Sequence, residues 1–535
     1  MQCDIPRLPT LHRNHPSADG RRPTPTDIAP PALAPRDAAP TGAVPQDAAP
    51  TGAVPQAAAP RDAAPTELAP AGPVSHDHPF MPLPWRPEPA VPRPDPAAVF
   101  AAGLRLHHLA NTAYPIAHRR TIWQHRVDES LHAGLLQRSL TASPTLSLYA
   151  HVPFCEQRCR FCEYTVVSRH TRPDEDRYLD ALLAELALYR ELLGRRTLQG
   201  FDIGGGTPAL VDPRGIARLV ERVHESFDLA PGYGISIETT PRLAARHPER
   251  LRAYQAAGIH RLSMGLQTAD VRLLRLYGRD PDTDVNRQAV DQIRAAGFER
   301  FNIDVMYGLA GQSVGDVLTT LEHTLALDPE VITLYRMRYK GTQVQQEAAE
   351  VPRERIVAME VAARALLNAH GYLANPGKNG FSRVPGDPGT SAYLTERVVH
   401  GGPYLGLGLG AQTFTGNALG YNLGAATKRL DAYLDAVDAG RLPVQDLYWL
   451  PRSEATAKTV AVAFYFGEVH LPSFATRFGL TLAEAYPEAV AFVLAEGLMH
   501  HRGECLALTE HGARHFNGVI ALFYSPTVQQ HLLAS

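Results

Sequence analysis

The pattern of apolar and polar positions divides the chain near residue 95. Before it, Ala and Pro alternate with short polar residues, large apolar side chains are scarce, and DAAPTGAVPQ stands in tandem at Asp37–Gln46 and Asp47–Gln56. Such a segment buries too little surface to offset the entropy of ordering it. Residues 1–95 are therefore expected to form a disordered or polyproline-like tail. Beyond it, helical patterns at Ala98–Leu109 and Thr121–Leu140 lead into short apolar runs that alternate with amphipathic ones. The runs Leu146–Val152, Gly200–Ile203, Gly234–Glu238, Arg261–Gly265, Phe301–Leu309 and Val331–Met337 have the length and side chains of buried strands. Helical periods lie between them at Asp174–Leu193, Pro213–Phe227, Pro248–Ala257, Thr283–Ala296 and Ser313–Leu327. This alternation predicts βαβ units and a parallel sheet. Six units predict an α/β fold, a (β/α)6 partial TIM barrel over residues 96–375, with chemistry at the C-terminal strand ends. Residues 376–450 read as a Gly-rich connecting region, helical from Lys428 onward, and 451–535 as a small, mostly helical, winged-helix-like C-terminal domain.

Composition narrows the function. Lys+Arg 52 against Asp+Glu 55 gives a formal charge of -3, without the basic excess of nucleic-acid or membrane-surface binding. No apolar run reaches the roughly 18–20 residues of a membrane span, and MQCDIPRLPT lacks the pattern of a secretory signal. Five cysteines, three of them within eight residues, are not a disulfide framework. They point to a metal site in a reducing, cytoplasmic setting.

The three are Cys155, Cys159 and Cys162, in C-x3-C-x2-C spacing directly after the first predicted strand. A cubane [4Fe–4S] cluster usually takes four cysteines. A triplet without a fourth leaves one iron open for the amino and carboxylate groups of S-adenosylmethionine (SAM), whose reductive cleavage yields a 5′-deoxyadenosyl radical. A structural zinc site wants four ligands, and His151 is poorly placed as the fourth. GGGTP (Gly204–Pro208) follows the second strand and offers backbone to a ligand, here the SAM amino group. Glu238 ends the third strand, where a carboxylate suits the SAM ammonium. Gln267 leaves the fourth strand, with Arg279 after it. Asp304 lies inside the fifth strand, where a carboxylate is costly unless paired or ligand-bound, and a ribose diol would satisfy it. YLGLGLGAQTF (Tyr404–Phe414) is a second Gly-rich loop, read equally as a ligand cradle or a tight crossover. Tyr335, Arg336, Arg338 and Tyr339 read as substrate-facing or as an exposed run, and the isolated Cys3 and Cys505 receive no metal.

YAHVPFCEQRCRFCEY, GGGTP, SIETTP, RLSMGLQT, NIDVMYGLAGQ and YLGLGLGAQTF, in this order, resemble the radical SAM branch of oxygen-independent coproporphyrinogen III dehydrogenase. That branch also includes heme chaperone-like proteins and class C radical SAM methyltransferases. The resemblance covers roughly Ala98–Ser535 and extends to GLMHHRGECLALTEHGARHF. It implies that Cys155, Cys159 and Cys162 bind the cluster and that Phe161 packs beside it near the SAM adenine. It places Gly205, Gly206, Thr207, Glu238, Gln267, Arg279 and Asp304 at SAM, and Tyr149 near cluster and substrate. Tyr149 and Glu238 are the candidate catalytic residues. Gly408 and Ala411 match a region that helps bind a second SAM.

Two departures bear on the subfamily. The coproporphyrinogen enzyme carries a further Cys just after the triplet and a His-Phe-Ala-Arg run; here Glu163 and Tyr164 follow Cys162, and Gly380 stands at the His of NGFSRVPGD, with Phe381 and Arg383 kept. These favour a class C-type methyltransferase using two SAM molecules on an sp2 carbon of a planar or unsaturated substrate such as an aromatic or a quinone. Coproporphyrinogen III oxidation and heme trafficking are the alternatives. A reduced flavodoxin or ferredoxin is the implied electron donor.

Overall fold

Six parallel strands form where the apolar runs predict them: β1 (Thr145–Val152), β2 (Thr197–Gly205), β3 (Ile235–Thr239), β4 (Arg261–Gln267), β5 (Phe301–Tyr307) and β6 (Val331–Arg336). A computed structural model describes residues 85–114, 121–298 and 300–535 of the chain. The six strands lie side by side in sequence order, each pair parallel. The order 1-2-3-4-5-6 without closure is the expected partial barrel. Along β1 the alternate positions Leu146, Leu148, Ala150 and Val152 form one buried apolar face, and Ser147 and His151 on the opposite face are buried as well. The intervening helices begin at caps present in the sequence. Thr171 and Asp174 form a capping box before the helix Arg172–Leu193, and Ser313 and Asp316 form one before Val314–Ala326.

The region 376–450 differs from the expected Gly-rich connection with a helical end. It adds β7 (Gly380–Ser382), antiparallel to β6, at one edge, and β8 (Tyr404–Leu407), parallel to β1, at the other. The sheet then continues antiparallel through β9 (Gln412–Phe414), β10 (Ala418–Asn422) and β11 (Val444–Trp449). After Lys428 the helix is confined to Leu430–Asp438 before β11. These strands are short, and three of them contain glycine, so neither a strand period nor β-branched content marks them.

The C-terminal part is mostly helical, as expected, around a three-stranded antiparallel sheet of β12 (Glu468–His470), β13 (Met499–Arg502) and β14 (Cys505–Leu508). The first lead-in helix, Pro96–Arg105, packs on this part rather than on the barrel: Val99 and Ala102 share an apolar core with Val519 and Ile520. The second lead-in pattern divides into a 3-10 turn, Ile122–His125, and the helix His132–Thr141. Most of the expected tail lies outside the described residues. Its last part, 85–95, is extended and tied down: the Trp85 ring lies 6.0 Å from that of Phe478, the Ser453 amide donates to Glu88 at 2.9 Å, and Arg93 donates to the Ala485 carbonyl at 2.6 Å. Among the described residues no helix is long and apolar enough to cross a membrane.

Candidate active site

The chain leaves β1 through Pro153 and the fully buried Phe154. The loop that follows is closed at its base, where the Cys155 amide donates to the Val167 carbonyl at 3.1 Å and the Val167 amide to the Pro153 carbonyl at 2.8 Å. Cys155, Cys159 and Cys162 are unbridged, partly exposed, and line one cavity of about 910 Å3. Burial pushes the Cys155 thiol up to about 11 and also raises Cys162, so these sulfurs stay ionised only against a positive partner. The protein supplies part of it: Arg279 donates to Cys159 Sγ at 3.4 Å, and the Thr207 hydroxyl lies 3.5 Å from Cys155 Sγ. Among the described residues no three His, Cys, Asp or Glu side chains converge tightly enough for a single ion. A zinc site needs that convergence. A cubane cluster takes one thiolate at each of several iron corners, which suits three spaced thiols on one loop. His151 is excluded as a ligand. It is buried, its Nε2–H donates to the Thr165 carbonyl at 2.7 Å, and its Nδ1 takes the Tyr149 hydroxyl at 3.3 Å. Burial lowers it to about 4, so it stays neutral.

The GGGTP turn is bound to the cysteine loop: the Gly206 amide donates to Val152 O at 2.8 Å and the Thr207 amide to Phe154 O at 2.7 Å. Gly205 sits at φ +114°, a region closed to most side chains, and its amide donates to Glu238 Oε2 at 3.3 Å. Glu238 is open to the cavity and otherwise surrounded by protein. Burial, then the charge of Asp304, raises it to about 8. Asp304 accepts from Asn302 at 2.7 Å and Ser263 at 3.1 Å, and burial raises it to about 6. Gln267 has φ +71°, a strained value for a residue with a side chain, at an irregularity in the β4–β5 pairing. Phe161, Gly205, Gly206, Thr207, Glu238, Gln267, Arg279 and Asp304 thus line the same cavity as the cysteines.

Tyr149, Gly408 and Ala411 are not among its lining residues. Tyr149 packs toward Tyr393, ring centres 6.0 Å apart. The Gly408 amide donates to Glu185 at 2.7 Å, and its carbonyl accepts from Asn422 at 2.9 Å and from the Ala411 amide at 3.2 Å. The second Gly-rich loop is therefore a tight hairpin connection between β8 and the antiparallel β9, stitched to the helix Arg172–Leu193, rather than a crossover.

The departures also have places in the structure. Glu163 forms an ion pair with Arg338, whose Nη1 donates to the Tyr465 hydroxyl at 3.0 Å. Tyr164 is 54% exposed, and all four lie on the cavity wall. A Cβ at Gly380 would meet the Gly389 carbonyl oxygen at 2.8 Å, so no side chain fits there without a backbone shift. Arg383 is paired with Glu330 at 3.0 Å, away from the cavity lining. Tyr335, Arg336, Arg338 and Tyr339 all line the cavity, which settles that run as site-facing. His107, His108, Tyr465 and Asn517 join them; their sequence surroundings carry no motif, and only the fold brings them in.

The radical SAM superfamily model matches residues 149–324, and the HemN C-terminal domain model matches residues 466–515. The chain is 32% identical over 198 residues to the heme chaperone HemW of Haemophilus influenzae, covering 36% of this chain and 51% of the relative. It is 34% identical over 257 residues to the oxygen-independent coproporphyrinogen III oxidase of Paracoccus denitrificans, covering 46% and 56%. These matches span about half the length of each relative. HemW of Bacillus subtilis matches at 26% over 393 residues, 70% of this chain and 98% of the relative. The coproporphyrinogen III oxidase HemN of Escherichia coli shares the fold, with a TM-score of 0.62 at 24% identity over 74% of this chain and 93% of that one. None of these relatives has a methyltransferase name.

Proposed function

Because the chain belongs to the radical SAM superfamily, in its coproporphyrinogen III oxidase-like branch, we propose that it is a radical enzyme acting on a carboxylate-bearing tetrapyrrole. The observation that carries this reading is the single cavity of about 910 Å3 that joins the cysteine loop to a wall with Tyr164, Tyr335, Arg336 and Arg338. That volume lies near the top of the roughly 300–1,000 Å3 of small-molecule sites, and aromatic with guanidinium groups suits a flat, anionic ligand. Methyl transfer loses its support. The loop expected to hold a second SAM is occupied with its own hydrogen bonds, and the relatives act on or carry tetrapyrroles by name.

The cluster would be held by Cys155, Cys159 and Cys162, and with SAM it supplies an electron and a carbon-centred radical. The chain's own residues do the rest. Arg279 and Thr207 donate toward the thiolates. Glu238, held by the Gly205 amide, receives the ammonium of SAM, and Asp304, fixed by Asn302 and Ser263, receives its ribose hydroxyls. The walls keep water from the radical. Reduced flavodoxin or ferredoxin is the proposed donor.

The test is anaerobic reconstitution with SAM and dithionite, followed by mass spectrometry with coproporphyrinogen III. 5′-Deoxyadenosine together with loss of carboxyl groups from the porphyrinogen supports the reading. S-Adenosylhomocysteine with a CH2 gain on a quinone or aromatic would restore methyl transfer. Hemin binding without substrate turnover would instead make the chain a heme carrier.

A further inference from the structure

Arg336 is the last residue of β6 and lines the cavity. Its Nη1 donates to Asn517 Oδ1 at 2.6 Å and its Nη2 to His107 Nδ1 at 2.8 Å. Both partners are uncharged: burial and the Arg336 charge lower His107 to about 3. The other cavity guanidiniums are engaged differently. Arg338 pairs with Glu163, and Arg242 lies 3.9 Å from Glu156 and 3.8 Å from Asp280. Arg279 is turned to Cys159 and the Gly265 carbonyl, and Arg158 to the Cys162 carbonyl. Among the described residues Arg336 makes no ion pair. The nearby carboxylate of Glu360 takes its hydrogen bond from Tyr307, at 3.2 Å, and attracts Arg336 without bonding it, and burial outweighs that attraction.

A guanidinium taken out of water and held by neutral groups keeps most of its desolvation cost until an anion arrives. Two of its N–H groups are fixed by Asn517 and His107, which orients the planar fork, and the geometry a fork matches is a carboxylate. We propose that Arg336 docks a carboxylate arm of the substrate, on the wall where β6, the turn at His107 and the C-terminal domain meet. This rests on the tetrapyrrole reading above and assigns the residue that recognises the charged arm. Tyr335, beside it and 37% exposed, supplies an aromatic face for the ring system.

Arg336 also ties His107 and Asn517 to the barrel, so the test must separate recognition from clamping. Coproporphyrin III and its neutral tetramethyl ester, in the same co-solvent, are titrated by fluorescence against the cluster-loaded protein. Arg336→Gln is expected to weaken the acid about 10- to 100-fold, the effect of removing a charged hydrogen-bond partner, while ester affinity stays the same. Arg336→Lys retains most of the acid affinity. His107→Glu leaves the backbone bonds of His107 in place and puts a carboxylate against Arg336. It is expected to weaken the acid comparably, and serves if Arg336→Gln does not fold. An equal loss for acid and ester in both Arg336→Gln and His107→Glu would make Arg336 a clamp and overturn the proposal, as would unchanged acid affinity. Failure of the wild-type protein to bind either porphyrin would instead sink the tetrapyrrole reading itself.

Discussion

Glu185 gives the sharpest physical test of how the second Gly-rich loop is used. It sits fully buried on the helix Arg172–Leu193 and accepts from the Gly408 amide, the Tyr433 hydroxyl and the Asn422 amide, each at 2.7 Å. Burial outweighs these three bonds and raises the carboxyl from 4.5 to about 7. The unfolded chain therefore loses this proton first, and stability falls as pH rises from about 4.5 to about 7 and is flat above. Each unit of difference is worth about 1.4 kcal/mol, so this group removes about 2 kcal/mol between about pH 5.5 and about pH 8. Glu185→Gln keeps an oxygen for Gly408 and Tyr433 but turns an amide toward Asn422, at a cost of about 1–3 kcal/mol. It cannot ionise, so its deficit against wild type should shrink by about 2 kcal/mol at the higher pH. Anaerobic urea denaturation at the two pH values, followed by far-UV circular dichroism, measures both numbers. A deficit equal at both would mean that Glu185 is already ionised in the fold throughout, and the account of a neutralised carboxyl holding the loop would be wrong.

Three further outcomes follow from the site. Cys159→Ala should abolish the visible absorbance of the reconstituted cluster and lower the iron content; an unchanged spectrum removes the cluster assignment. Glu238 must ionise to receive an ammonium, and its carboxyl is raised to about 8, so SAM affinity should rise by up to about tenfold per pH unit toward pH 8 and level off above. Glu238→Gln should bind SAM more weakly with a flat profile, and a sloping profile in that variant would assign the titration elsewhere. A chain starting at residue 96 loses the Trp85, Glu88 and Arg93 contacts and should be about 2–3 kcal/mol less stable than one starting at 85, read by urea denaturation; equal stability would show these contacts contribute nothing net.

What the sequence disclosed follows from how each feature is encoded. The six parallel strands were legible because each carries a run of apolar residues on one face, and the helices because their apolar positions recur at helical spacing. The edge strands β7 to β11 were not. Runs of three to six residues carrying Gly380, Gly406 and Gly420 have no period to read, and their pairing is specified by backbone fit. The same holds for the docking of residues 85–95, whose anchors Phe478, Ser453 and Ala485 lie hundreds of positions away.

The site divides along the same line. Ligand-facing groups that sit on strand ends within motifs, from Cys155 to Asp304, could be placed in advance because a parallel barrel sends every such end to one mouth. Gly408 and Ala411, expected at a second SAM, lie off the cavity lining, because a Gly-rich run serves close packing as well as it serves a ligand and the buried Glu185 beneath them takes up the Gly408 amide. The wall proposed to meet the substrate had no local signature: Arg336 and Arg338 stood in a run that reads equally well as exposed surface. Their partners His107, Glu163, Tyr465 and Asn517 come from four separate stretches of chain. The two arginines are two positions apart, yet one is neutralised by Glu163 while the other is hydrogen-bonded only to neutral partners, with Glu360 near it but unbonded. That difference is set by tertiary contacts alone, and it is why the proposed carboxylate dock falls on Arg336 rather than on Arg338.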